Sequence, residues 1–189
     1  MTTEFLVKQF SLPAHFFEMA TIAANFVFDH DEVALKNVTI GRALVLSDEP
    51  VKVQVIATPN GDHFDFEIFS RSAKDTDRSW IQHAAGTLEH KSPSSLPSMN
   101  IDDELTHFTQ PVDTKELSAC FKARGLEYLP RFEAIENIFL QERDSSDQFK
   151  AAMARIKLPV DTVLAGESYQ MHPVITDSSF RISEALFLE

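Results

Sequence analysis

Near the end of this 189-residue chain runs Tyr169-Gln170-Met171-His172-Pro173-Val174-Ile175-Thr176-Asp177-Ser178-Ser179-Phe180-Arg181, and in it Asp177 is the residue best placed for chemistry. Pro173 and the β-branched pair Val174 and Ile175 precede it and an apolar stripe follows, so its carboxylate is expected in the first turn of a buried helix. At a helix start such a group commonly caps free amides. Removed from water, it gains a raised pKa and becomes suited to acid–base work near neutral pH. Cys120 lies among Leu117 and Phe121 at helical spacing and reads as a core thiol, with no partner for a disulfide. No Ser-His-Asp or Cys-His arrangement stands out. The seven histidines are scattered, none paired at i, i+4, and no two of the five glycines lie close together. Neither a metal site nor a glycine-rich phosphate loop is expected.

Composition narrows the partners. Hydrophobic residues make up 43% of the chain, enough for a packed core, and the formal charge is −12. That charge argues against nucleic acid and against an anionic membrane, both of which draw on clustered Lys and Arg. MTTEFLVKQFSLP lacks the basic flank and apolar centre of a signal peptide, and His15–Phe28 is too short to span a bilayer. A cytoplasmic protein without a cofactor is expected.

The elements that must position Asp177 follow from periodicity. Residues 14–28 carry Phe16, Phe17, Met19, Ile22, Ala23, Phe26 and Val27 at three- and four-residue intervals and predict a mostly buried helix behind Pro13. The period then shortens: 33–46 is rich in β-branched residues, 51–57 and 64–69 alternate, and 79–90 makes a fourth strand. Asn60-Gly61 predicts a hairpin turn. Residues 91–112, opening with Lys91-Ser92-Pro93-Ser94-Ser95-Leu96-Pro97-Ser98, read as a linker. A helix follows from Asp113-Thr114-Lys115-Glu116, a capping-box text in which Asp113 accepts from the Glu116 amide, to Gly125. Residues 126–141 read as irregular, 149–159 as a strand, and the closing helix holds Asp177.

Three motifs stand in order along this frame: Pro13-Ala14-His15-Phe16-Phe17-Glu18-Met19-Ala20, Gly125-Leu126-Glu127-Tyr128-Leu129-Pro130-Arg131-Phe132 and His172-Pro173-Val174-Ile175-Thr176-Asp177. With Trp80 and His83-Ala84-x-Gly86, they resemble the dehydratase domain of modular polyketide synthases, a double hot-dog fold. The resemblance covers nearly the whole chain. It implies an α+β hot-dog fold, an antiparallel sheet wrapped on a long buried helix, with residues 1–90 as the first unit and 113–189 as an incomplete second one. It implies loss of water from a β-hydroxyacyl thioester on acyl carrier protein, with Asp177 as the acid and Val174, Ile175 and Phe180 supplying its apolar surroundings. His172, Pro173, Tyr128, Pro130, Phe132 and Arg181 would shape the substrate site, His172 marking the motif without performing chemistry.

The text also departs from the family. Its base lies in His-x-x-x-Gly-x-x-x-x-Pro, yet counting back from Pro13 puts Glu4 and Lys8 at the His and Gly, and counting from Glu18 puts Thr3 and Val7 there. His15, beyond the Pro, reads as a turn residue. Arg181 stands where the family has Gln or His, and an Arg there is expected to hold Asp177 ionised. Phe180, Ile182, Leu186 and Phe187 are expected to form an exposed patch. Three functions stay open: a dehydratase impaired for lack of its His, a non-catalytic relative docking in a synthase assembly, and an oligomeric hot-dog hydratase or thioesterase. The expected partners are the carrier-bound chain, neighbouring synthase domains and, as a homodimer, a second copy. Carrier proteins of this type are acidic, so encounter with a chain of −12 calls for tethering.

Overall fold

A computed structural model describes residues 9–11, 13–28, 33–46, 49–73, 79–90, 98–142, 151–158 and 169–188. Thr3, Glu4, Val7 and Lys8, the positions counted for the missing base, lie outside them. The chain divides into two compact units, Met1–Ser94 with Tyr169–Pro173, and Ser95–Ser168 with Val174–Glu189. Among the described residues no helix is long and apolar enough to cross a membrane.

In the first unit β1 (Gln9–Ser11) leads to helix α1 (Pro13–Val27), β2 (Val33–Ile40), β3 (Leu44–Leu46), β4 (Val51–Asn60), β5 (His63–Ser72) and β6 (Ile81–His90). β1 pairs with β3, and the rest form an antiparallel sheet in the order β2-β6-β5-β4. Pro59 is tolerated because β4 is the edge strand. Asn60 pairs with His63, so the turn is Gly61-Asp62, one residue later than the Asn-Gly signal, and Gly61 takes a φ of 67°. Asn60 stays in the ladder with its side-chain amide donating to Asp65 at 2.8 Å.

The core joins Phe16, Ala20, Ala24 and Phe28 to Leu44, Phe66, Ile68, Ala84 and Leu88. Ile22 and Phe26, counted in the apolar face by spacing, point outward instead. At about 100° per residue, Phe26 lies roughly 200° from both Ala24 and Phe28. Gly86 pairs with Phe66, and a Cβ there would stand 2.7 Å from the ring, so only glycine fits. His83 is buried on β6. Its Nδ1 lies 3.1 Å from the Arg42 carbonyl and its Nε2 2.6 Å from the Ser70 hydroxyl. A carbonyl only accepts, so Nδ1 carries the proton and Nε2 accepts from Ser70. Phe16 stacks on the ring with centroids 5.8 Å apart.

The second unit contains α2 (Ile101–Leu105), β7 (Gln110–Val112), α3 (Thr114–Ala123), β8 (Ile135–Leu140) and β9 (Ala152–Ile156), with strand order β7-β8-β9. Helix α4 (Pro173–Ile182) continues into a 3-10 turn, Ser183–Phe187. The stretch expected as a linker carries both α2 and β7; Asn100 caps α2 by accepting from the Asp102 amide at 3.2 Å, and Asp102, Asp103 and Glu104 favour its first turn. Lys91–Pro97 lie outside the described residues. Asp113 caps α3 through the Lys115 amide at 2.8 Å, not through Glu116, whose amide takes the Asp113 carbonyl. Gly125, at φ 81°, closes α3: its N–H reaches the Lys122 carbonyl, and that of Leu126 reaches Phe121. Within the stretch expected to be irregular, Ile135–Leu140 is a central strand whose Ile138 and Leu140 join Leu117, Phe121 and Ala185 in the core.

Candidate active site

Helix α4 opens on Pro173, so Asp177 is its fifth residue, in the second turn, beyond the free amides that a cap would satisfy. The first-turn expectation is thereby corrected, and capping is excluded for Asp177. The buried residues of α4 include Val174, Asp177, Ser178 and Arg181. These positions recur at three- and four-residue spacing and define one face. Ile175 and Phe180 flank that face and are exposed, Phe180 at 49%, so of the three expected apolar neighbours only Val174 is buried with Asp177. Of the expected apolar patch, Phe180 and Phe187 are exposed, whereas Leu186 packs against the core.

The glycine-tyrosine motif meets this face. The Arg181 Nη1 donates to the Phe132 carbonyl at 2.9 Å, and its guanidinium carbon lies 3.9 Å from the centre of the Tyr128 ring. Tyr128 packs edge-on against Phe121 with centroids 5.7 Å apart. Pro130 opens the 3-10 turn Pro130–Phe132 that brings the Phe132 carbonyl round. His172, half-buried, precedes α4 with its ring edge-on to Tyr169 at 4.6 Å. Tyr128, Phe132, Arg181 and Asp177 are thus drawn into one neighbourhood. Pro130 shapes a turn, and His172 and Pro173 shape a helix entrance.

Burial pushes the Asp177 carboxyl up to about 6, with the charge of Arg181 opposing. Arg181 acts in the expected direction, lowering the value, but does not set it. Loss of hydration outweighs a guanidinium that is committed to Phe132 and Tyr128. The Tyr128 hydroxyl is pushed up to about 12, first by burial and then by the Asp177 charge, with Arg181 opposing. Asp177 Oδ2, the Ser178 hydroxyl and Arg181 Nε are buried without hydrogen-bond partners among the described residues.

Two buried polar groups escaped the sequence reading as structural devices. Glu18 accepts the amides of Gln170 and Met171, and His83 is bonded at both ring nitrogens. A lone acid or histidine amid apolar residues was the available signal. His15 sits in the first turn of α1, half-buried, as its place just after Pro13 implied. Among the described residues no group of His, Cys, Asp and Glu could hold a metal ion.

Family models describe the two halves of this arrangement: "Polyketide synthase dehydratase domain" matches residues 10–71 and "Polyketide synthase dehydratase N-terminal domain" matches 97–188. The chain belongs to the polyketide synthase dehydratase family. It is 32% identical over 162 residues to polyketide synthase ThaG of Burkholderia thailandensis, a match covering 82% of this chain and 3% of that protein. The dehydratase domain from the CurK module of curacin polyketide synthase superposes with a TM-score of 0.78 at 23% identity, covering 93% of this chain and 59% of that one. A trans-AT dehydratase domain from Brevibacillus brevis gives 0.79 at 21% identity, covering 95% and 66%. These structures establish the α+β hot-dog fold. The dehydratase family thus spans nearly all of this chain, while the chain spans a small part of its curated relative and about three-fifths of the CurK domain.

Proposed function

We propose that this chain is part of a dehydratase that removes water from a β-hydroxyacyl thioester carried on acyl carrier protein, with Asp177 protonating the leaving hydroxyl. The observation that carries the reading is the Asp177 carboxyl: buried, raised to about 6, and with an oxygen that nothing in the described structure bonds. Hydroxide is a poor leaving group, so the acid must hold a proton at working pH. With a pKa of about 6, roughly one molecule in ten does so at pH 7, against fewer than one in a thousand for an ordinary aspartate. Phe132 and Tyr128 keep the Arg181 guanidinium occupied, so it tempers the acid without pairing with it. The Tyr128 hydroxyl stays protonated and available as a donor. His172, Pro173 and Pro130 shape the chain around the site.

The reaction also needs a base for the proton α to the thioester carbonyl. The family uses a histidine ahead of its first helix, and this sequence has none before His15. His83 cannot take its place, because Ser70 and Arg42 occupy both its nitrogens. That observation favours a second reading, a non-catalytic relative that docks in a synthase assembly.

Turnover of a β-hydroxyacyl pantetheine thioester by this chain and by Asp177→Asn separates the two. Elimination that the substitution abolishes supports the first reading, and equal elimination by both overturns it. No elimination by either leaves the docking reading, which fails in turn if the chain captures neither carrier protein nor a neighbouring synthase segment. Because both partners are acidic, carrier binding is expected to be no stronger at low salt than at high salt.

A further inference from the structure

The end of the β4–β5 hairpin carries chemistry that the site on α4 does not use. Asn60 is the last residue of β4, Gly61 opens the turn beyond the ladder, and both are exposed. Gly61 sits at a φ of 67°, so the turn itself demands a glycine there, and nothing lies within 4 Å of where a side chain would stand. The Asn60 side-chain carbonyl carbon is therefore one residue away from an unshielded backbone nitrogen. The other four asparagines, Asn25, Asn37, Asn100 and Asn137, precede Phe26, Val38, Ile101 and Ile138, whose bulk crowds that nitrogen.

Attack of the Gly61 nitrogen on Asn60 Cγ forms a C–N bond and closes a succinimide ring. The Cγ–Nδ2 bond breaks, and the departing ammonia takes up the proton that the Gly61 amide loses. Water then adds to either ring carbonyl, which opens to aspartate or to isoaspartate.

Ring closure requires Asn60 to turn its side chain toward its own following amide, and two contacts hold it elsewhere. One is the ladder pairing with His63, the last of the hairpin, where opening is easiest. The other is the bond from Nδ2, the nitrogen that must leave, to Asp65 Oδ2 at 2.8 Å. That bond is charge-assisted and ties the side chain back along the sheet. The product undoes this restraint: a carboxylate at position 60 cannot donate to Asp65 and repels it. Asp62 and Asp65 already flank His63, 3.2 and 3.7 Å from its two ring nitrogens, so a third carboxylate crowds the same end. Isoaspartate also lengthens the backbone by a carbon and displaces the Asn60–His63 register.

We propose that Asn60 is a site of spontaneous deamidation through the Gly61 nitrogen, and that Asp65 is the residue that restrains it. In the full chain kept folded in mildly alkaline buffer, peptide mass spectrometry over time is expected to find amide-to-acid conversion at Asn60 ahead of the other four asparagines. Asp65→Ala is expected to raise that rate about three- to tenfold, the weight of one hydrogen bond at an exposed place. The wild-type chain unfolded in urea supplies the reference rate and needs no variant. If Asn60 stays intact in the folded chain while it converts in urea, the fold closes the site and the proposal is overturned. Conversion at another asparagine first overturns it as well. An Asp65→Ala chain that converts no faster than wild type overturns the role of Asp65. No readout involves turnover, so failure here is distinct from failure of the dehydratase reading.

Discussion

Both units bury polar side chains, and they treat them in opposite ways. In the first, Glu18 uses both oxygens and His83 both ring nitrogens, each against a partner distant in sequence. In the second, the inner face of α4 carries Asp177 Oδ2, the Ser178 hydroxyl and Arg181 Nε with no hydrogen-bond partner among the described residues. The remaining unpartnered buried atom among the described residues, Arg71 Nε, belongs to a half-buried side chain whose guanidinium lies 4.8 Å over Trp80. Satisfied polar burial orders a scaffold; unsatisfied burial costs stability and persists where the groups serve something else. On the dehydratase reading proposed above, the difference separates the parts of this molecule that hold shape from the part that would do chemistry.

Asp177→Asn tests that contrast most severely. Elimination is expected to fall by about 10² or more, as for loss of a general acid. Stability is expected to rise near pH 7.5 by about 1–2 kcal/mol, because a neutral amide replaces a carboxyl that must ionise in a poorly solvated place. The sign follows from the shift: the folded value, about 6, exceeds the ordinary 3.8. The contribution of Asp177 to stability is therefore complete below about pH 4 and is lost as pH rises through 6. Urea denaturation at pH 4 and 7.5 should show that slope in the wild type and a shallower one in the variant. Equal slopes would break the comparison.

His83→Ala should act in the opposite direction, destabilising by about 2–4 kcal/mol through lost packing on Phe16 and an orphaned Ser70 hydroxyl. The two serines form a matched pair. Ser70→Ala should cost about 1–2 kcal/mol by leaving His83 Nε2 without a donor, while Ser178→Ala should be neutral or stabilising, since its hydroxyl has no partner to lose. Chemical denaturation of the two side by side would blunt the contrast if the costs proved alike. The smallest effect is expected from Arg181→Gln, which removes the charge opposing burial and should move the Asp177 midpoint above its wild-type value in a carbon-detected titration. A downward shift would mean that Arg181 does more for the burial of Asp177 than for its charge.

Much of the frame was legible from local chemistry. The apolar spacing of α1, the alternation of β4 and β5, and the Gly125 stop of α3 are all decided within a few residues. Gly86 was visible as part of a motif, but its cause, the Phe66 ring on the neighbouring strand, was not. Asp177 was also legible as the residue to watch. The face on which it lies was not, because Ile175 and Phe180 made the outward side of α4 look like the inward one. Nor could spacing tell that Arg181 would be drawn to a carbonyl 49 residues away, or that burial would outweigh its charge.

By itself, then, the sequence determined which residues could form helices and strands and where many of them stop, since each depends on neighbours within a turn or a pleat. Only the tertiary structure decided which way α4 faces, what Glu18 holds, and how Asp177 titrates. Those depend on hydration lost and hydrogen bonds made between segments that meet only when the chain is folded.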